Sequence, residues 1–207
     1  MHYLTLFGLT FLAAALATLP PGLLNMNAAK IAVDRGKRDA LLFAFACSLV
    51  VLLESLGASL FSKYLYQHPD SFNQLLWISL FIFVGLAIYF WRKSNRPYTI
   101  QKSTSRPFRK GLSLAFLNVL MIPFYAGLHS AFRTSKVVRL APSETLVFAA
   151  AAMSGTFVIL YGYAYGFAQI SFDEIRFEKR SNRLIALLML LLAMGSFIRL
   201  ILSYVNQ

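Results

Sequence analysis

Six apolar runs, several of them near the ~20 residues a helix needs to cross the hydrocarbon of a bilayer, dominate this chain of 207 residues. They cover roughly residues 3–29, 39–66, 72–91, 108–132, 143–169 and 183–204. The chain is 58% hydrophobic and 14% charged, against about 45–50% and about 25% in soluble domains. No run alternates polar and apolar residues at period two, which argues against a β-barrel. The first run contains a small-x-small stretch at Ala15-Leu16-Ala17 that resembles a cleavage site. Met1-His2-Tyr3 nevertheless lacks the basic start of a signal peptide, so the run is expected to remain as a membrane helix.

The net charge of +12 would suit nucleic acid, but the charges sit in short segments between apolar runs, and no nucleic-acid partner is expected. Their distribution sets orientation instead. Lys30, Arg35, Lys37 and Arg38 flank the first connection, and Arg92, Lys93, Arg96, Lys102, Arg106, Arg109 and Lys110 the third. Arg176, Lys179, Arg180 and Arg183 flank the fifth. These fifteen of the 20 basic residues face one side, and only Lys63, Arg133, Lys136, Arg139 and Arg199 face the other. The richer side is expected to be cytoplasmic, with both termini outside.

The two halves resemble each other. Gly8-Leu9-Thr10 stands twelve residues before Pro20, and Gly111-Leu112-Ser113 twelve before Pro123. Further on, Asp39-Ala40-Leu41-Leu42-Phe43-Ala44 parallels Glu144-Thr145-Leu146-Val147-Phe148-Ala149, a register that pairs Gly57 with Gly162. Three helices per unit is odd, so the second unit must be inserted upside down. The expected fold is an all-α membrane protein of six transmembrane helices arranged as two inverted three-helix repeats. It forms a single membrane domain over 1–207, with repeat one at about 1–92, a cytoplasmic loop at about 93–107 and repeat two at about 108–207.

Proline inside a helix removes a backbone donor and clashes with the carbonyl four residues earlier. In hydrocarbon the freed carbonyls need partners, so such breaks sit where protein or a wet cavity satisfies them. Pro20-Pro21-Gly22 is a severe break, followed by Asn25 and Asn27; in the second unit Asn118 precedes Pro123, and Tyr125 follows it. These residues are candidates for a solute pathway, against the plainer reading that the kinks only shape packing. Glu54 is the only acid well inside an apolar run, about 22 Å beyond Asp39 at ~1.5 Å per residue. An ionisable group at that depth is costly and is a candidate for proton or cation chemistry; a neutral, hydrogen-bonded packing role is the alternative. The register gives it Ile159 as counterpart, so its role belongs to the first repeat alone. Tyr161, Tyr163 and Tyr165, at spacing two, cannot all face one cavity, and His129 is expected near the outer interface. Gly57, Gly85 and Gly195 are read as permitting close helix contact. Cys47, the one cysteine, excludes an internal disulfide and a CxxC pair.

Taken in order, Pro20-Pro21-Gly22 with its asparagines, the basic connection Asp34-Arg35-Gly36-Lys37-Arg38, and Asn118 to Pro123 resemble the LysE/RhtB-type amino-acid exporters over nearly the whole chain. Members of that family more often read Pro-Gly-Pro at the first break, which makes this a divergent member. The resemblance implies efflux of amino acids or similar small solutes driven by the proton motive force, from a bacterial inner membrane. Substrate would lie near Pro20, Pro21, Gly22, Asn25, Asn118 and Pro123. The expected partners are a small solute, protons and membrane lipid, with a homo-oligomer left open. No cofactor is expected, and with no HExxH, GxSxG or intramembrane aspartate pair no enzyme activity. A divalent metal-ion exporter and a non-transporting membrane assembly or sensor protein stand as alternatives.

Overall fold

A computed structural model describes residues 2–20, 22–67, 72–95, 106–118, 121–134, 142–166 and 174–205. Eight helices make up the regular structure of these residues: α1 (His2–Thr18), α2 (Leu23–Arg35), α3 (Lys37–Gln67), α4 (Phe72–Ser94), α5 (Pro107–Phe116), α6 (Met121–Thr134), α7 (Pro142–Gly166) and α8 (Glu174–Val205). The expected first and fourth segments are each split in two. α1 meets α2 at a bend of 76°, and α5 meets α6 at 64°. By length and composition α3 and α7 can each cross a membrane, and each bent pair can do so as one span.

The break in the first segment falls at Pro20, as the sequence leads one to expect. The second does not fall at Pro123. α5 ends at Phe116 and α6 begins at Met121, so Pro123 is the third residue of α6. Amides in the first turn of a helix lack intrahelical partners, and a proline there sacrifices nothing. The proline marks the start of the helix, and the break precedes it. In the register that pairs Gly8 with Gly111, the two breaks are therefore offset rather than equivalent.

The chain divides into two compact units, and the division runs across the sequence halves. The first, Met1–Tyr64 with Ser103–Ile170, holds α1, α2, α3, α5, α6 and α7. His2 on α1 meets Glu144 on α7 at 2.7 Å, and further along Thr18 meets Thr156 at 3.4 Å. α1 and α7 therefore run parallel. Cys47 on α3 meets Gly111 on α5, and Ser62 meets Ser130 on α6 at 2.8 Å, so the α5–α6 pair runs parallel to α3. Lys37 at the start of α3 lies over the ring of Tyr165 at the end of α7, 4.6 Å from its centroid. α3 and α7 are thus antiparallel.

This unit has two cores, one in each half of its depth. At the Lys37 end, Leu24, Ala28 and Ile31 of α2 pack with Phe43, Cys47 and Val50 of α3, Ala115 of α5 and Leu160 and Tyr163 of α7. At the His2 end, Leu6 and Ala14 of α1 pack with Val51 and Ala58 of α3, Tyr125 of α6 and Phe148 and Ala152 of α7. Small and polar side chains face inward, while Leu42, Phe45, Leu53 and Leu60 of α3 are exposed. Burying small residues and presenting large ones outward is how helices pack within lipid.

Two glycines bring backbones together. A Cβ on Gly155 would lie 2.5 Å from the Phe11 carbonyl oxygen, and one on Gly111 would lie 2.6 Å from that of Phe43. The expectation of close contact at Gly57, Gly85 and Gly195 is not met, since a Cβ on any of them has no neighbour within 4 Å. Those glycines sit in apolar runs, and proximity was not readable from the runs themselves. Gly36, at φ 91°, lets α2 turn into α3, a conformation that costs other residues energy.

The second unit, Leu65–Lys102 with Ser171–Gln207, pairs α4 with α8. Ala186, Met189, Ala193, Ser196 and Leu200 are buried along α8, at the alternating three- and four-residue spacing of a helix seam.

Candidate functional site

The α1–α2 break leaves the carbonyls at the end of α1 without their helical donors. Three in succession are held by side chains. The Asn25 amide nitrogen donates to the carbonyl oxygens of Thr18 at 2.6 Å and Pro20 at 2.9 Å, and the Tyr163 hydroxyl donates to that of Leu19 at 2.8 Å. Asn25 is buried, and both of its amide protons are used. Only its Oδ1 is left to meet anything else.

Gly22 is the N-cap residue of α2, with extended backbone and no side-chain cap. The partial positive charge at the start of α2 therefore has no side-chain cap at the break. Asn27 lies one turn further along, and its amide donates to the Leu23 carbonyl of its own helix at 2.7 Å. The structure thus brings Pro20, Gly22 and Asn25 together and leaves Asn27 outside the break. Pro21 lies outside the described residues. At the second break Asn118 closes the start of α6 through its backbone, accepting from the Met121 amide at 3.1 Å.

A row of hydroxyls runs from the first break into the bundle. Thr18 donates to the Ala14 carbonyl at 2.8 Å, so the Thr156 hydroxyl, 3.4 Å from that of Thr18, is the donor in their contact. Tyr125, fully buried, lies beside Thr156 and within electrostatic reach of Glu54. Its ring stands edge-on to Phe148. Among the described residues, four buried side-chain polar atoms have no hydrogen-bond partner in the protein: Thr10 Oγ1, Glu54 Oε2, Tyr125 Oη and His129 Nε2. Each such atom costs about 1–3 kcal/mol if left dry, so the four call for polar company that the protein's own side chains and backbone do not supply.

Sequence reasoning picked out Pro20, Gly22, Asn25, Glu54 and Tyr125. It missed Thr18 and Thr156, whose only signal is a hydroxyl in an apolar run, and it did not assign Tyr163 a role at the break. The three tyrosines of α7 do separate by face. Tyr161 and Tyr165 stack at 4.4 Å on the exposed side, and Tyr163 turns inward. Cys47 is buried. Among the described residues no three of His, Cys, Asp and Glu gather where they could hold a metal ion.

The family model of LysE type translocators matches residues 15–199. No curated protein and no solved structure matches the chain.

Proposed function

This chain belongs to the LysE type translocator family, multi-pass membrane transporters of small solutes, and on that premise we propose that it exports amino acids or similar small zwitterions, coupled to the proton motive force. The observation that carries the reading is the α1–α2 break, where α2 starts at Gly22 without a side-chain cap, with Asn25 buried beside it and Glu54 buried on α3. Half-helix N-termini at mid-depth suit anionic substrate groups. A substrate carboxylate would sit at the start of α2, and its ammonium group would face the Asn25 Oδ1 and Glu54.

The proposed architecture is six spans in two inverted repeats. It draws support from the opposed directions of α1–α2 and α5–α6, and from those of α3 and α7. Alternating access would then proceed by rocking of one repeat against the other around the breaks, with Asn118 and Pro123 lining the second half of the path. The proposed setting is a bacterial inner membrane with both termini outside, as the fifteen-to-five division of basic residues favours. Glu54 would take up and release the coupling proton.

Comparing the medium of cells with and without the protein by untargeted metabolite profiling tests the export. One amino acid or related zwitterion should rise, and a protonophore should abolish the rise. An unchanged medium across the amino acids would remove the proposal.

A further inference from the structure

The four unpartnered polar atoms are not scattered through the first unit. All of them fall in the half of the bundle at the His2 end. Thr10 lies one turn from both Leu6 and Ala14 on the buried face of α1, and Glu54 lies between Val51 and Ala58 on that of α3. Tyr125 and His129 are one turn apart on α6, and both stand edge-on to Phe148, at 6.1 Å and 5.4 Å. Three helices, α1, α3 and α6, therefore contribute unbonded polar atoms within or beside one core, and two of them flank the Phe148 ring. The core at the Lys37 end holds none of the four. There Ser48 donates to the Ala44 carbonyl and Cys47 to that of Gly111.

The same half carries a polar seam between α3 and α6. Ser55, Ser59 and Ser62 are buried along α3. Ser55 and Ser59 donate to carbonyls of their own helix, which leaves their oxygens able to accept. Ser62 joins His129 Nδ1 at 3.1 Å to Ser130 at 2.8 Å, and Ser130 is exposed. Arg133 on α6, which acts electrostatically on His129, and exposed Lys63 on α3 stand at this mouth, while Glu144 on α7 is paired with His2. Polar groups therefore continue from Glu54 at mid-depth to the surface.

Buried polar atoms that the protein does not satisfy are where structural water binds. We propose that these residues line a hydrated seam through which water and hydrated protons reach Glu54 from the His2 end of the bundle, with His129 and Tyr125 as its walls. As a route for the coupling proton the seam rests on the export reading; as a hydrated path it does not.

Radiolytic hydroxyl-radical labelling of the purified full chain tests this, because radicals formed from water oxidise the side chains that water touches. Tyr125 and His129, though buried, should be modified about tenfold faster than Phe43, an equally buried aromatic in the core at the other end, as expected beside bound water. His129→Phe, which removes the free nitrogen together with the Nδ1 contact to Ser62, should slow labelling of Tyr125 several-fold. Tyr125 and His129 as protected as Phe43 in the unmodified chain would overturn the proposal, whatever the variant does. Labelling needs no solute, so fast labelling supports the seam even where no export is measured, and protection refutes it even where export is robust.

Discussion

The Tyr163 hydroxyl donates a 2.8 Å hydrogen bond to the carbonyl of Leu19, across 144 positions of sequence, so the end of α7 holds the end of α1 open. With the two bonds from Asn25, it turns a proline break into a fixed piece of backbone. Removing either donor strands carbonyls, buried at Thr18 and partly buried at Leu19 and Pro20, at up to about 1–3 kcal/mol each.

Tyr163→Phe is therefore expected to lower the melting temperature of the purified protein by several degrees, and Asn25→Leu, which strands two carbonyls, by more. Asn27→Ala removes only a bond along its own helix and should stay within about 0.5 kcal/mol of the parent. Thermal unfolding in detergent, followed by far-ultraviolet circular dichroism, ranks the three. Equal effects of Asn25→Leu and Asn27→Ala would contradict the arrangement at the break.

Glycine substitutions separate close approach from mere presence in a helix. Gly155→Ala and Gly111→Ala place a methyl group 2.5 Å and 2.6 Å from backbone oxygens, atoms that cannot swing aside. Overpacking of this kind costs typically 1–3 kcal/mol, so both variants should unfold earlier or accumulate poorly. Gly57→Ala meets nothing within 4 Å, and Gly22→Ala meets only the Pro20 carbonyl oxygen at 3.8 Å; both should behave as the parent in the same melting assay.

How far the sequence reveals the fold depends on whether a feature is local. The apolar runs mark the helices, and Pro20-Pro21-Gly22 marks the first break, because chain geometry alone fixes both. Pro123 is equally visible, yet it points to the start of α6, since proline is tolerated in a first turn as well as at a kink. The partnership of Tyr163 with Leu19, the closeness of Thr18 and Thr156, and the tight contacts at Gly111 and Gly155 depend on which helices become neighbours. No residue carries that information by itself. Glu54 was legible as an unusual acid, but Thr10, Tyr125 and His129 around the same core became a set only once α1, α3 and α6 were assembled.

Cys47 provides a probe of the core at the Lys37 end. It is fully buried and directs its thiol to the Gly111 carbonyl at 3.5 Å, and a thiol shut in apolar surroundings is inert. Maleimide added to the folded protein should leave Cys47 almost unlabelled, and unfolding in dodecyl sulfate should make it fully reactive. Rapid labelling of the folded chain, measured by intact mass, would show that this core opens to solution.

Glu54→Gln tests the coupling role most directly. Glutamine keeps the shape and hydrogen-bonding reach of the side chain but neither gains nor loses a proton. If Glu54 exchanges the coupling proton, the variant loses uphill, protonophore-sensitive efflux from proteoliposomes and retains exchange of solute for solute, because exchange needs the binding site and the moving helices but no net proton transfer. If Glu54 instead anchors the substrate ammonium group, both activities fall together. Ile159, the position that the sequence register sets against it, carries no acid, so nothing there can mask the effect. Uphill efflux in Glu54→Gln at the parent rate would remove Glu54 from the mechanism and leave its buried oxygen a feature of packing alone.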